Sequence, residues 1–120
     1  MVPVRPADDP DDALQAVMRG LAVSAREANL ARTAVLEASV AALAAGPLTA
    51  EQRGAAVSAA HQVVGSAGTF GWHRSSAVAA ELEQWFRDGP TPGDPDRMAW
   101  ADARLAELRA DLTGAHQDEG

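Results

Sequence analysis

Thr49-Ala50-Glu51-Gln52-Arg53-Gly54-Ala55-Ala56-Val57-Ser58-Ala59-Ala60-His61-Gln62-Val63-Val64-Gly65-Ser66-Ala67-Gly68 is the stretch on which the reading of this chain turns. Thr49 and Gln52 form a T-x-x-Q capping box, in which each side chain satisfies a backbone N–H of the other's turn. A helix therefore starts at Thr49. At about 100° per residue, Ala56, Ala59, Ala60, Val63 and Ala67, with Phe70 trailing, fall on one side. His61 falls on the opposite side. Gly54, Gly65 and Gly68 share that side with it. Each glycine costs a helix interior about 1 kcal/mol relative to alanine. Three on one face are hard to account for by helix formation, but they would leave the imidazole open to another molecule's backbone. Helix–helix packing is the competing explanation for them.

Working outward, the same helical texture covers most of the chain. The composition is 47% hydrophobic and rich in alanine, with five aromatic residues (Phe70, Trp72, Trp85, Phe86, Trp100), all in the C-terminal half. Close-packed helices suit such a chain. Asp11 or Asp12 can cap a first short helix through Leu14, Val17, Met18 and Leu21, with a break near Gly20. A longer helix follows over about 24–45. Its Ala28, Ala31, Val35, Ala38 and Ala42 share a face, with Leu36, Val40 and Leu43 beside them, and Gly46-Pro47 ends it. After the His61 helix, Gly71 marks a turn. A further helix covers about 73–87, with Ser75, Ala79, Leu82 and Phe86 inward. Asp88–Asp94 is a loop. Asp94 then caps a last helix with Pro95 at its first position and Met98, Ala101, Leu105, Leu108 and Leu112 as its stripe. The expected fold is all-α: an antiparallel up-down four-helix bundle with an additional short N-terminal helix. Residues 1–9 read as a disordered leader, 10–115 as the bundle and 116–120 as an acidic tail.

Charge and residue usage narrow the function. The net charge is −7, and Asp8, Asp9, Asp11, Asp12, Asp118 and Glu119 at the ends carry much of it. There is no basic stripe, so no nucleic-acid partner is expected. The chain has no cysteine, which excludes disulfides and thiolate metal sites. His61, His73 and His116 contain no i,i+4 pair, so no metal site is expected among them. No apolar run is long enough to span a bilayer, and no hydrophobic signal region opens the chain. The expected location is cytoplasmic. No nucleotide-binding glycine loop, carboxylate pair or nucleophile–base couple points to an autonomous enzyme.

Ala60-His61-Gln62-Val63-Val64-Gly65-Ser66-Ala67-Gly68-Thr69-Phe70-Gly71 resembles the signature of histidine-containing phosphotransfer (HPt) domains, roughly A-H-x-L-K-G-S-A-G-x-x-G. Ala79-x-x-Leu82-Glu83 resembles the segment that follows in that family, and Ala41-Leu43-Ala44-Ala45-Gly46 the end of the preceding helix. The resemblance spans about residues 25–110. It implies a phosphocarrier in a multistep histidine–aspartate relay. His61 would accept a phosphoryl group from a receiver-domain aspartate and pass it to another receiver. The implied partners are response-regulator receiver domains and a hybrid histidine kinase. The carrier itself would need no cofactor, since Mg²⁺ is expected on the receiver. Glu83 matches the position that orients the histidine ring. Its other reading is an i,i+4 surface pair with Arg87. The expected docking surface is Gly54, Val57, Ser58, Val64, Gly65 and Gly68.

One departure stands out. The family usually has lysine three residues after the histidine, and this chain has Val64. All ten basic residues are arginine, so a simple exchange would have placed arginine there. The charge is lost, and Arg53, Arg74 and Arg87 are the candidate substitutes. Two alternatives follow: an HPt-like module that binds a receiver without efficient transfer, and the phosphoacceptor domain of a larger histidine kinase. Met1 and the tail-like ends favour a free-standing protein, with a monomer as the default.

Overall fold

The computed structural model describes residues 10–115; the leader, the acidic tail and His116 lie outside them. Among the described residues there are four helices and no strand: α1 (Pro10–Ala45), α2 (Ala50–Thr69), α3 (His73–Arg87) and α4 (Pro95–Ala110). A π-helical turn over Asp111–Ala115 continues α4.

Local chemistry sets the boundaries. The Thr49 hydroxyl accepts the Gln52 N–H at 3.0 Å, and Gln52 Oε1 accepts the Thr49 N–H at 2.9 Å. At the other end of α2, the Trp72 N–H reaches the Ala67 carbonyl and the Gly71 N–H reaches Gly68. This Schellman closure needs a left-handed residue after the cap, and Gly71 supplies it with φ +76°. The Asp94 carboxylate accepts the N–H groups of Asp96 and Arg97 at the start of α4, beside Pro95.

Contacts run in reverse order along neighbouring helices. Asn29 meets Ser66 and Arg32 meets Gln62 between α1 and α2. Val64 meets Ser76 and His61 meets Glu83 between α2 and α3. Trp85 meets Trp100 across α3 and α4, and Ser75 of α3 meets Asp111 just beyond α4. The core gathers Leu36, Val40 and Leu43 from α1, Ala56, Ala60, Val63 and Ala67 from α2, and Val78, Leu82 and Phe86 from α3. Ala101, Leu105 and Leu108 of α4 and Leu112 beyond it complete it. The inward stripes expected for α2 and α3 are buried, apart from half-buried Phe70. On α4 all but half-buried Met98 are buried. Alanine on α2 lets its neighbours approach closely, which is where small residues serve a bundle.

One expectation is corrected in α1. The short leading helix is not separate, because α1 runs unbroken through Gly20. A glycine costs a helix about 1 kcal/mol but removes no hydrogen bond, unlike proline, and Arg19, Leu21 and Ala22 around it are good helix formers. Of the two apolar groups on this helix, the bundle covers the one with Leu36, Val40 and Leu43 rather than the alanine-rich face. Asn29, Thr33, Leu36, Ser39, Val40 and Leu43 are buried, whereas Ala31, Val35 and Ala38 are exposed. The three polar side chains of that stripe are satisfied. Thr33 and Ser39 hydroxyls donate to the carbonyls one turn back, and Asn29 bonds to Ser66 and Arg32.

Candidate functional site

His61 stands on the outer face of α2 with its side chain 69% exposed, held there because its neighbours Ala60 and Val63 turn into the core. Glu83 of α3 lies behind it, only 14% exposed. The Glu83 Oε2 and Oε1 atoms are 3.2 and 3.4 Å from His61 Nδ1. Arg87, one turn further along α3, donates to Glu83 Oε2 from Nε at 2.9 Å and from Nη2 at 2.7 Å. Both arrangements open to Glu83 in the sequence are therefore present at once. A carboxylate has lone pairs enough for both, and Arg87 fixes it while it faces the ring. The other ring nitrogen, Nε2, has no hydrogen-bond partner among the described residues.

The surroundings are open. A shallow groove of about 460 Å³ runs beside the ring, lined by Ala50, Arg53, Gly54, Val57, Ser58, His61 and Arg87. A Cβ added at Gly54 or Gly65 would meet nothing within 4 Å, and at Gly68 it would make ordinary contact with Ser76 Oγ at 3.7 Å. Packing within the bundle thus does not require glycine at these places. Val57 is half-buried and Ser58 exposed, where it accepts a hydrogen bond from Gln62. Val64 is half-buried and packs against the core, and its carbonyl accepts the Ser76 hydroxyl. The three candidate cations separate clearly. Arg53 and Arg87 line the groove with His61. Arg74 pairs with Glu107 of α4, away from it. His73 begins α3 at the surface and does not join His61. Among the described residues, no group of three His, Cys, Asp or Glu side chains is gathered as a metal site.

The chain matches the Hpt domain family over residues 27–117. It belongs to the Hpt domain family. No curated protein and no solved structure matches it. Hpt domains are histidine phosphotransfer modules of two-component phosphorelays, carriers rather than catalysts, and their partners are receiver domains. No helix among the described residues is long and apolar enough to cross a membrane.

A polar network behind the Hpt histidine escaped the sequence reading. Asn29 donates to Ser66 at 3.1 Å, Arg32 bridges Asn29 and Gln62, and Gln62 donates to Ser58. It ties α1 to the His61 helix along the face flanking the histidine. Its one sequence signal was a polar Asn29 and Thr33 in register with Leu36 and Val40.

Proposed function

We propose that His61 is the phosphoacceptor of this Hpt domain, in an up-down four-helix bundle that relays phosphoryl groups between receiver domains. The observation that carries this reading is the exposed His61 ring, beside the groove that Gly54 also lines, with Nδ1 against Glu83 and Nε2 without a hydrogen-bond partner among the described residues. Neutral imidazole is the nucleophile. With its proton on Nδ1 and directed at Glu83, the lone pair lies on Nε2. That lone pair attacks the phosphorus of a receiver's aspartyl phosphate. The Nε2–P bond forms as the acyl P–O bond breaks, and the aspartate leaves as carboxylate. The ring gains formal positive charge, which the Glu83 carboxylate stabilises. Glu83 is thus a positioning residue. Mg²⁺ and the acidic pocket belong to the receiver, which supplies most of the charge stabilisation. The docking surface is the ring of Gly54, Val57, Ser58, Val64, Gly65 and Gly68 around His61. Arg53 and Arg87 provide the positive charge that position 64 lacks.

The test is incubation of the full chain with a phosphorylated receiver and Mg²⁺. Label on the chain, acid-labile as a phosphoramidate is, and absent from His61→Gln, is the expected result. Label retained by His61→Gln overturns the assignment. Binding of the receiver with no label on the wild-type chain establishes instead the reading of a module that docks without transfer.

A further inference from the structure

The N-terminal third of α1 has no bundle to pack against: no residue of α1 before Asn29 is buried, and Leu14, Val17, Met18 and Leu21 are 49–60% exposed. An isolated helical extension is only marginally stable in water, so this one needs a partner. Its apolar residues follow a heptad that continues beyond the extension: Leu14, Val17, Leu21, Ser24, Ala28, Ala31, Val35 and Ala38 take the a and d positions in turn. Ser24 alone among them is polar. In the same register, the residues that α1 turns into the bundle, Asn29, Thr33, Leu36, Val40 and Leu43, occupy b and f. The two stripes are therefore on nearly opposite faces of one helix. The outer stripe extends for about 36 Å.

We propose that this outer face of α1 pairs with the same face of a second copy, as a parallel, in-register two-stranded coiled coil. An a/d repeat held over three or more heptads is the signature of such a seam. A two-fold dimer also sets each patch against itself. The flanking charges choose the occupant and the direction. Glu27 lies at g and Arg32 at the following e, the positions that face each other between parallel strands. Glu27 has no ion pair among the described residues. Arg32 uses Nε and Nη1 towards Gln62 and Asn29, which leaves its Nη2 donors for the partner's Glu27. Two such pairs form per dimer. His61 sits against α3, outside this face, and both histidines stay open. The pairing does not depend on the phosphocarrier reading.

Sedimentation velocity of the full chain over a concentration series tests it. The wild-type chain is expected to shift reversibly to twice the chain mass. The Leu14→Glu/Leu21→Glu variant is expected to stay at the single mass while keeping its dilute melting temperature and its phosphorylation by a receiver. The chain has no cysteine, so Ala31→Cys places one thiol per copy on the seam. It is expected to cross-link rapidly under mild oxidation, and Ala106→Cys on the exposed side of α4 is not. A wild-type chain that remains single up to about 1 mM, the weak end of the affinity scale, overturns the proposal. So does a dimer that survives Leu14→Glu/Leu21→Glu, or equal cross-linking at the two cysteines.

Discussion

Position 64 puts a small apolar side chain where a relative would carry charge, and its surroundings decide what a lysine would do there. Val64 is half-buried with its tip against the core, so a lysine stem can lie over the same apolar atoms while its ammonium reaches solvent. It would stand one turn from His61, near the incoming phosphoryl group. An exposed charge pair contributes about 0–1 kcal/mol, rising where docking removes water. Val64→Lys is therefore expected to speed transfer from a generic receiver by about tenfold or less, since about 1.4 kcal/mol corresponds to tenfold. The gain should shrink as salt is added. Rapid-quench transfer assays at two ionic strengths check it. Slower transfer from every receiver would show instead that the valine makes an apolar contact with receivers that a lysine cannot replace. Gly65 offers a companion test. Its missing Cβ would meet nothing, so Gly65→Gln is expected to raise helix stability by up to about 1 kcal/mol while weakening receiver binding. Calorimetric melting and titration with a receiver measure the two effects in opposite directions. The outward histidine and its glycines were legible in the sequence because each is fixed by its place along one helix, whereas Glu83 was placed only by the resemblance to the family. The division of labour among Arg53, Arg74 and Arg87 was not, since only tertiary packing sends Arg74 to Glu107 and the other two to the groove.

At the scale of elements, α1 and α4 are clasped by Glu37 and Arg109, whose guanidinium donates from Nε and Nη2 at 2.9 and 2.7 Å. Those hydrogen bonds hold the Glu37 carboxyl below the ordinary glutamate range, against a smaller opposing effect of burial, with the Arg109 charge adding to the lowering. A carboxyl whose folded value is depressed contributes stability above its unfolded value and loses it as the pH falls through the folded value. Acidification from just above the ordinary glutamate range to below it should therefore remove this contribution, while neutral and mildly alkaline pH leave it intact. Both side chains are more than a third exposed, and solvent screening limits the effect to about 1 kcal/mol or less. Glu37→Gln is expected to lower the melting temperature slightly at neutral pH and to flatten its acid-side slope. Thermal melts from pH 7 to pH 3 measure this. Helix boundaries were readable because caps are local chemistry: Thr49 with Gln52, Asp94 with Pro95, and Gly71 after α2. The rotation of α1 was not. Apolar residues lie on two opposite sides of that helix, Ala31, Val35 and Ala38 on one and Leu36, Val40 and Leu43 on the other, and hydrophobic periodicity alone could not say which one the bundle would cover. The buried stripe is the one carrying Asn29 and Thr33, whose polarity argued against it until their partners were in place. The unbroken passage through Gly20 was missed because a single glycine weakens a helix without depriving it of a hydrogen bond.

Across the whole molecule, the chemistry sits on the outside and the stability on the inside, with little shared between them. His61 projects from a helix whose opposite side is sealed by Ala56, Ala60, Val63 and Ala67, all with no exposed surface. Replacing the ring thus removes no core contact, and His61→Gln is expected to melt within about 0.5 kcal/mol of the wild type. Phe86 is the converse case. It is wholly buried at the end of α3, in contact with Trp85, and reaches no part of the groove. Truncating a buried phenylalanine to alanine typically costs about 3–5 kcal/mol, part lost transfer energy and part the cavity left behind. Domains of this size have about 5–15 kcal/mol to lose, so this loss is a large share of the total. Phe86→Ala is therefore expected to lower the urea midpoint sharply with an unchanged slope, the mark of lost stability without a change in compactness. Phosphorylation by a receiver should fall only in proportion to the unfolded fraction, and recover at low temperature or with a stabilising osmolyte. A Phe86→Ala protein that is fully folded by circular dichroism yet transfers far more slowly would show that the core and the His61 face are coupled, through the α3 segment that carries both Phe86 and Glu83.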